Sequence, residues 1–303
     1  MTMKAPDYLY FEADKVGKLR NLRLHVRQAM EGFITGLHQS PHRGFSAEFA
    51  DHREYAPGDD LRHLDWVAWA RSDRYFLKQY EQQTNLRAHI LLDVSGSMNY
   101  RHGDGITKFQ YGCLLASCLS YLMCRQQDVV GLVAFDERVR FNLPPGSSPA
   151  HMDRIFRYLE QAEAGRSTSV ASTFHDLART IAKRGLVIVI SDLCDEPSDV
   201  IKALQHFVFK KHQVIVFHVM DPSELSLPFG GVRRFVDMET GQSLQIDADR
   251  IRQGYIESLG AFIQTYRRQC ADRNIEYVLT TTDAPYDRLL LDYLAKRRTL
   301  MKR

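Results

Sequence analysis

Three oxygen-bearing side chains stand at alternate positions in one short stretch of this chain. Asp93, Ser95 and Ser97 follow the apolar run 88–92, and a helical pattern begins near Thr107. The run is typical of a buried strand, so these side chains are expected where a strand of an open α/β sheet ends and where ligands usually bind. One carboxylate and two hydroxyls suit a hard cation better than a nucleotide phosphate.

Two later loops offer further oxygen atoms. Residues 167–169, Ser-Thr-Ser, precede a helical pattern that begins near Val170, and Ser191 and Asp192 follow the apolar run 186–190. A magnesium ion takes about six oxygen ligands and usually keeps some waters. Two carboxylates and three hydroxyls meet that need. Because two aspartates roughly cancel the charge of the dication, we predict an open site that can accept an Asp or Glu from a partner protein.

Strand and helix patterns alternate from Arg87 onward and predict the fold class. Four apolar runs are typical of buried strands, and helical patterns separate most of them: 88–92, 129–135, 186–190 and 214–219. Such alternation favours an α/β fold with a doubly wound, mostly parallel sheet. Residues 138–143 alternate between apolar and polar, as in an edge strand, and we expect Pro144-Pro145-Gly146 to close it.

The same patterns predict the domain organisation. Residues 1–85 are the least regular part, and we expect an irregular N-terminal accessory region packed on the main domain. The main domain is predicted to span residues 86–303. At about 222–248 an inserted β-hairpin interrupts its α/β alternation, with Glu239-Thr240-Gly241 as the turn.

Composition excludes several classes of function. The chain has 303 residues, 44% of them hydrophobic and 25% charged, as in soluble globular proteins. A net charge of +3 is too small to indicate a nucleic-acid partner. We expect no signal peptide, because the first residues lead into a segment that is not apolar, and no run approaches the ~18 apolar residues of a membrane span. Five cysteines without a Cys-x-x-Cys pair indicate a reduced, cytoplasmic protein without a zinc site.

The three oxygen-rich loops resemble the metal-ion-dependent adhesion site of von Willebrand factor A domains. In that family the fold is a doubly wound α/β sheet, and a ligand carboxylate commonly completes the shell of the bound metal. The resemblance implies the metal ligands Asp93, Ser95, Ser97, Thr168 and Asp192, direct or through water. The family often has Gly-Gly-Thr-Asp where this chain reads Arg-Ser-Thr-Ser, so Ser167 or Ser169 could replace Thr168. The cation would be Mg²⁺, Mn²⁺ or Ca²⁺.

A charged stretch upstream narrows the resemblance. The motifs are Glu48-Phe49, Arg53-x-Tyr55, Gly58-Asp59, Arg62, Asp65-Trp66 and Ala70-Arg71. They resemble the signature of the bacterial "domain of unknown function fifty-eight" family, and the resemblance spans about residues 15 to 220. Members of this family are typically encoded beside MoxR-type AAA+ ATPases and are thought to act with them in chaperone-like maturation or cofactor insertion. Many relatives carry transmembrane segments before this region. This sequence shows no such apolar segment there, which favours the soluble branch.

The charged stretch also has a structural interpretation. We predict that Trp66 packs against the α/β domain and that ion pairs fix the segment around it. The expected partners are Arg53, Arg62, Asp59 and Asp65.

The strongest enzymatic alternative is a magnesium-dependent phosphotransferase of the haloacid dehalogenase type. Its metal site would use Asp93, Thr168, Lys183 and Asp192 with Asp195. Phosphatases of this type usually carry a second Asp two residues after the first as general acid, and Ser95 is far too weakly acidic for that role.

Other enzymatic or metal sites find less support. Ser95 lacks the Gly-x-Ser-x-Gly elbow of serine hydrolases, and no Walker A pattern occurs. His38 and His42 have the spacing of a helical zinc pair, but Pro41 disfavours that helix. The sequence thus predicts a non-enzymatic, metal-dependent module that binds a protein client or partner.

Overall fold

The computed structural model describes residues 22–24, 26–27, 30–31, 51–54, 69, 75–79, 86–165, 170–286 and 289–290, and of these 51–54, 76–79, 170 and 171 by their backbone alone. The chain forms two compact units, one of residues 33–85 and one of residues 1–32 with 86–303. Most of the predicted accessory region lies outside the described residues, so its extent stays a prediction.

The described backbone of the smaller unit is one antiparallel pair. Strand β1 (Asp51–Glu54) pairs with β2 (Phe76–Gln79). Between them along the chain, the exposed rings of Trp69 and Tyr75 stack with their centroids 6.0 Å apart. Trp66 and the four side chains predicted to pair around it lie outside the described residues.

The larger unit contains a six-stranded sheet and a separate hairpin. The strands are β3 (Arg87–Asp93), β4 (Val129–Phe135), β5 (Val139–Gly146), β6 (Leu186–Ser191), β7 (Gln213–Met220), β8 (Val232–Val236), β9 (Ser243–Asp247) and β10 (Ile275–Thr281). The sheet has the order β10-β7-β6-β3-β4-β5, and every neighbouring pair is parallel except β4 and β5. The predicted mostly parallel sheet is therefore confirmed.

Six helices whose bounds lie within the described residues accompany the strands. They are α1 (Lys108–Arg125), α2 (Pro149–Gln161), α3 (Val170–Thr180), α4 (Pro197–Phe209), α5 (Pro222–Ser226) and α6 (Ala248–Ala271). Within the described part of the chain, none of the helices combines the length and the apolar character needed to cross a bilayer.

The helices cover both faces of the sheet. On one face, the buried core joins Leu91 and Val189 to apolar side chains of α3, α4 and α6. On the other face, α1 comes close enough that a Cβ on Gly112 would lie 3.0 Å from Leu92 and 3.3 Å from Ile190. Adjacent strand residues point to opposite faces, so the doubly wound α/β architecture follows directly.

The strand order places a crevice beside β3. Counted within the sheet, the order is 3-2-1-4-5-6, and the direction of winding reverses between β3 and β6. In open α/β sheets, ligands bind at such a switch point, outside the carboxyl ends of the strands. Here those ends are Asp93 and Ser191.

The edge strand β5 is longer than predicted. Pro144, Pro145 and Gly146 lie inside it instead of closing it, and Gly146 pairs with Val130 across an irregular register. Proline cannot donate a hydrogen bond to a neighbour, but an edge strand needs partners on one side alone and tolerates this. The prediction that these residues end the strand was wrong.

The predicted inserted hairpin is present. β8 and β9 pair antiparallel from Val232 opposite Asp247 to Val236 opposite Ser243. Gly241 takes a φ of 72° in the turn, which favours glycine. The short helix α5 leads from the carboxyl end of β7 into this insertion, so the hairpin begins at the same edge of the sheet as the β3–β6 crevice.

Candidate functional site

The carboxylate of Asp93 lies at the crevice and is fully buried. Its Oδ1 accepts a hydrogen bond from the backbone N–H of Ser95 at 2.9 Å. Its Oδ2 accepts one from the hydroxyl of Ser191 at 2.5 Å. One bond comes from the loop after β3 and the other from the end of β6, so the topology of the sheet fixes the orientation of the carboxylate.

The two predicted hydroxyl ligands lie together. Ser95 Oγ and Ser97 Oγ are 3.0 Å apart, and Ser97 begins a short 3-10 turn that ends at Asn99. Met98 in this turn is buried and anchors the loop in the core. Asp93, Ser95 and Ser97 thus form one compact group of oxygen atoms.

Asp192 forms an ion pair with a lysine of the same chain. The ammonium nitrogen of Lys108 lies 2.8 Å from Asp192 Oδ2, and both side chains are almost completely buried. The backbone N–H of Cys194 approaches Asp192 Oδ1 at 3.4 Å. Asp192 is therefore already charge-paired.

The same ammonium has a second carboxylate partner. Lys108 Nζ lies 2.7 Å from Glu224 Oε1 on helix α5. The other oxygen of Glu224, Oε2, accepts a hydrogen bond from the backbone N–H of Asp221 at 2.7 Å, as part of a capping box. Lys108 thereby connects the crevice to the beginning of the inserted hairpin.

These surroundings shift the pKa values of the two aspartates in opposite directions. Burial, followed by the charge of Asp192, raises the pKa of Asp93 to about 7, although hydrogen bonds from Ser191 and Ser95 oppose the shift. Burial would also raise the pKa of Asp192, but the charge and hydrogen bond of Lys108 outweigh it and lower that pKa. Asp93 is thus the buried carboxylate whose charged form is poorly stabilised.

The loop after α2 approaches the site, and Thr168, another predicted metal ligand, belongs to this loop. The backbone N–H of Gly165 donates a hydrogen bond to the carbonyl of Val94, between Asp93 and Ser95. Thr168 and its alternatives Ser167 and Ser169 lie outside the described residues, so their role stays a prediction.

A buried carboxylate at the end of β4 has a structural explanation. Asp136 Oδ2 accepts a hydrogen bond from Arg140 Nε at 2.6 Å, and its Oδ1 accepts one from the backbone of Arg138 at 3.1 Å. These contacts hold the turn into β5. We therefore do not assign Asp136 to the candidate site.

The donor chemistry fits a hard cation. Within the described residues, no three His, Cys, Asp or Glu side chains are grouped so that they could hold a metal ion by themselves. Asp93 with the hydroxyls of Ser95 and Ser97 instead offers small oxygen donors, the ligands that Mg²⁺ and Ca²⁺ prefer. When ionised, the carboxyl groups of Asp93, Asp192 and the half-buried Glu224, together with Lys108, carry a net charge of minus two, which a dication would balance.

Sequence reasoning brought four of the five predicted positions to one edge of the sheet but missed Lys108 and Glu224. Lys108 carried a signal, because it lies on the same helical stripe as the buried Tyr111, Leu115 and Leu119 of α1. Glu224 is sufficiently explained in the sequence as part of a capping box, and only the fold brings it to Lys108.

Comparison with known proteins identifies relatives of this chain. The family profile described as "Protein of unknown function DUF58" matches residues 51–261. "Uncharacterized protein Rv1480" of Mycobacterium tuberculosis (strain ATCC 25618 / H37Rv) is 24% identical over 284 residues, which cover 92% of this chain and 89% of the relative.

Solved structures with related folds were also found. The conserved hypothetical protein BatB from Bacteroides thetaiotaomicron is 18% identical, with a TM-score of 0.48, over 71% of this chain and 99% of that one. The SpRpn10 VWA domain is 10% identical, with a TM-score of 0.38, over 69% of this chain and 95% of that one.

Proposed function

The chain belongs to the DUF58 family, and from that premise we propose that it is a metal-dependent protein-binding module. It would act as an adaptor or chaperone-like partner of a MoxR-type AAA+ ATPase in protein maturation or complex assembly. The cation would be Mg²⁺, or Mn²⁺ or Ca²⁺, and the site would bind its partner without catalysing a reaction.

One observation carries this proposal. Asp93 is fully buried at the switch point of the sheet, and among the described residues it has hydrogen-bond donors but no ion-pair partner. Burying a carboxylate without a compensating charge is costly. A cation bound to Asp93, with the hydroxyls of Ser95 and Ser97 as neutral ligands, would remove that cost.

The neutral ligands also favour a partner's carboxylate. Serine hydroxyls help to hold a dication without reducing its charge, and Lys108 already compensates Asp192. A cation held in this way keeps a strong attraction for a further anionic oxygen. An Asp or Glu side chain of the partner would supply it, so binding would depend on both the metal and that side chain.

The inserted hairpin offers contact area for the same protein partner. Val232 and Val236 lie four residues apart in β8 and so share one face of the hairpin, where they are 69% and 46% exposed. The insertion starts at the edge of the sheet that carries the site. A partner whose acidic side chain reaches the cation could cover this apolar surface at the same time, and exposed apolar patches of this kind often mark protein interfaces.

The MoxR-type partner comes from the resemblance of the sequence to its family, and the cytoplasmic location comes from the free cysteines. Affinity capture from a lysate of the source cells tests the partner together with metal dependence. The tagged wild-type chain should recover an AAA+ ATPase in Mg²⁺ and lose it in EDTA, and Asp93→Ala should lose it in both.

Asp199→Ala provides a matched control, because Asp199 is an exposed aspartate paired with Lys202 on α4. It should recover the ATPase as the wild type does. If Asp93→Ala in EDTA recovered as much ATPase as the wild type does in Mg²⁺, a metal-dependent partnership would be contradicted.

A further inference from the structure

Lys108 contacts Asp192, one of the carboxylates predicted to bind the divalent cation, through its ammonium group. Its side chain is 2% exposed, and its ammonium is shared between Asp192 Oδ2 at 2.8 Å and Glu224 Oε1 at 2.7 Å. Its aliphatic stem begins at the first residue of α1, directly after the loop that carries Ser95 and Ser97. The ammonium therefore cannot leave the crevice without moving this helix or changing its side-chain conformation.

We infer that Lys108 is a built-in competitor of the divalent cation for Asp192, and that it sets the cation affinity of the site. The inference rests on the proposed metal site and concerns its regulation. An ammonium at Asp192 repels a dication that the same carboxylate would help to hold. Charges a few ångströms apart in a buried site interact strongly, because little water screens them.

Glu224 moderates this competition. It is the second acceptor of the ammonium and thus reduces the share that Asp192 receives. Its position depends on the beginning of the insertion, because Glu224 Oε2 accepts the backbone N–H of Asp221, while Asp221 Oδ2 accepts the backbone N–H of His102 at 3.1 Å.

The hairpin and the cation site are coupled through this contact. A partner that shifts α5 away from the crevice, with Glu224 still paired to the ammonium, would draw Lys108 away from Asp192 and raise the affinity for the cation. Binding linkage is reciprocal, so the cation would raise the affinity for such a partner by the same factor.

The test is calorimetric titration with Mg²⁺ of the wild type and four variants, one of which is a control. Lys108→Met and Lys108→Gln remove the ammonium charge, and we expect both to bind Mg²⁺ at least about tenfold more tightly. Glu224→Gln leaves the whole charge of Lys108 to Asp192, and we expect at least about threefold weaker binding. Lys202→Met, which removes an exposed lysine on α4, should leave the affinity unchanged.

The Mg²⁺ affinity is expected to increase in the Lys108 variants and to decrease in Glu224→Gln, and this difference distinguishes competition from a purely structural role of Lys108. If Lys108 only held the crevice together, its removal would loosen the site and weaken Mg²⁺ binding, as the loss of Glu224 would. Both Lys108 variants leave the buried carboxylate of Asp192 and the half-buried carboxylate of Glu224 without their ammonium partner and should be destabilised. Mg²⁺ should therefore raise their thermal midpoint more than that of the wild type. Lys108→Gln keeps hydrogen-bond donors and carries the same prediction if Lys108→Met does not fold.

The outcomes distinguish this inference from the proposed function. Wild-type binding with weaker or unchanged binding in the Lys108 variants would overturn the competition and leave the metal site intact. Binding by the Lys108 variants alone would support the competition and contradict metal dependence of the native protein. An absence of binding in every variant would overturn both.

Discussion

Asp93 and Asp192 are both buried aspartates at the ends of adjacent strands, yet their partners differ in kind. Asp192 has the ammonium of Lys108, whereas Asp93 has a hydroxyl and a backbone N–H. A neutral donor compensates a buried carboxylate less than a cation does. This difference identifies Asp93 as the residue on which an added cation would act most strongly.

A prediction about catalysis follows from the residues beside Asp93. A phosphotransferase would need a general acid two residues after its nucleophile, and Ser95 there has its hydroxyl 3.0 Å from that of Ser97. General acid help is worth roughly 10²–10⁴ in rate, and the described part of the site lacks a carboxyl group at that position. We expect no Mg²⁺-dependent hydrolysis of an aryl phosphate or of a panel of phosphorylated metabolites. Turnover that disappears in Asp93→Asn would overturn this expectation.

A second residue-level prediction concerns His89 in β3. Burial, followed by the charges of His212 and Arg87, lowers the pKa of His89 to about 4. Below the ordinary pKa of 6.5 the unfolded chain binds a proton that the folded chain refuses, so this residue costs stability as the pH falls from 6.5 toward 4. Urea unfolding measures how much the free energy of unfolding decreases from pH 7 to pH 5. We expect this decrease to be smaller in His89→Gln than in the wild type, by an amount on the order of 1 kcal/mol. An equal loss in both proteins would contradict the assignment.

At the scale of elements, helix α1 positions Lys108 in the candidate site. Thr107 caps it in a capping box with Gln110, and Lys108 is its first residue. Close packing of Gly112 against β3 and β6 sets the height of the helix above the sheet. The distance from Lys108 to Asp192 therefore depends on a glycine one turn further along the helix.

Two glycine substitutions test this packing against each other. In Gly112→Val the added side chain meets Leu92 at 3.0 Å or closer, and we expect a loss of about 1–3 kcal/mol in unfolding free energy. In Gly260→Ala the added methyl meets open space on α6, and we expect a gain of about 0.5–1 kcal/mol. Chemical denaturation measures both changes. Equal effects of the two substitutions would show that α1 does not pack closely at Gly112.

Local patterns made some elements predictable and others not. Apolar runs located β3, β4, β6 and β7, and the Glu239-Thr240-Gly241 turn located the hairpin. The two prolines of β5 concealed the end of that strand, since their cost depends on whether a strand lies at an edge, and sequence alone does not give strand order.

At the scale of the whole molecule, the site is assembled from segments that are far apart in the chain. Lys108 and Asp192 are separated by 84 residues, and Lys108 and Glu224 by 116. Spacing predicted the oxygen ligands because each follows a strand, and the carboxyl ends of parallel strands meet at one edge. The helical pattern of α1 could indicate that Lys108 is buried, but not which carboxylates it pairs with, because Asp192 and Glu224 come near it only in the folded chain.

The last prediction at this scale concerns Trp66, which lies in the smaller unit of residues 33–85. The antiparallel pair β1–β2 belongs to residues 33–85, where most of the family signature also lies. The prediction that Trp66 packs on the α/β domain would be supported if Trp66→Ala lowered the stability by about 3–5 kcal/mol in thermal unfolding. An unchanged melting temperature would identify Trp66 as a surface residue.

Calorimetric titration of the wild type and Asp93→Asn with Mg²⁺ tests the central claim most directly. Asparagine keeps the shape of the side chain and removes the charge on which the proposed site depends, and circular dichroism would establish that the variant is folded. We predict one divalent site per chain in the wild type and its loss in Asp93→Asn. Absence of binding in the wild type, or equal binding by the two proteins, would contradict a cation site at Asp93.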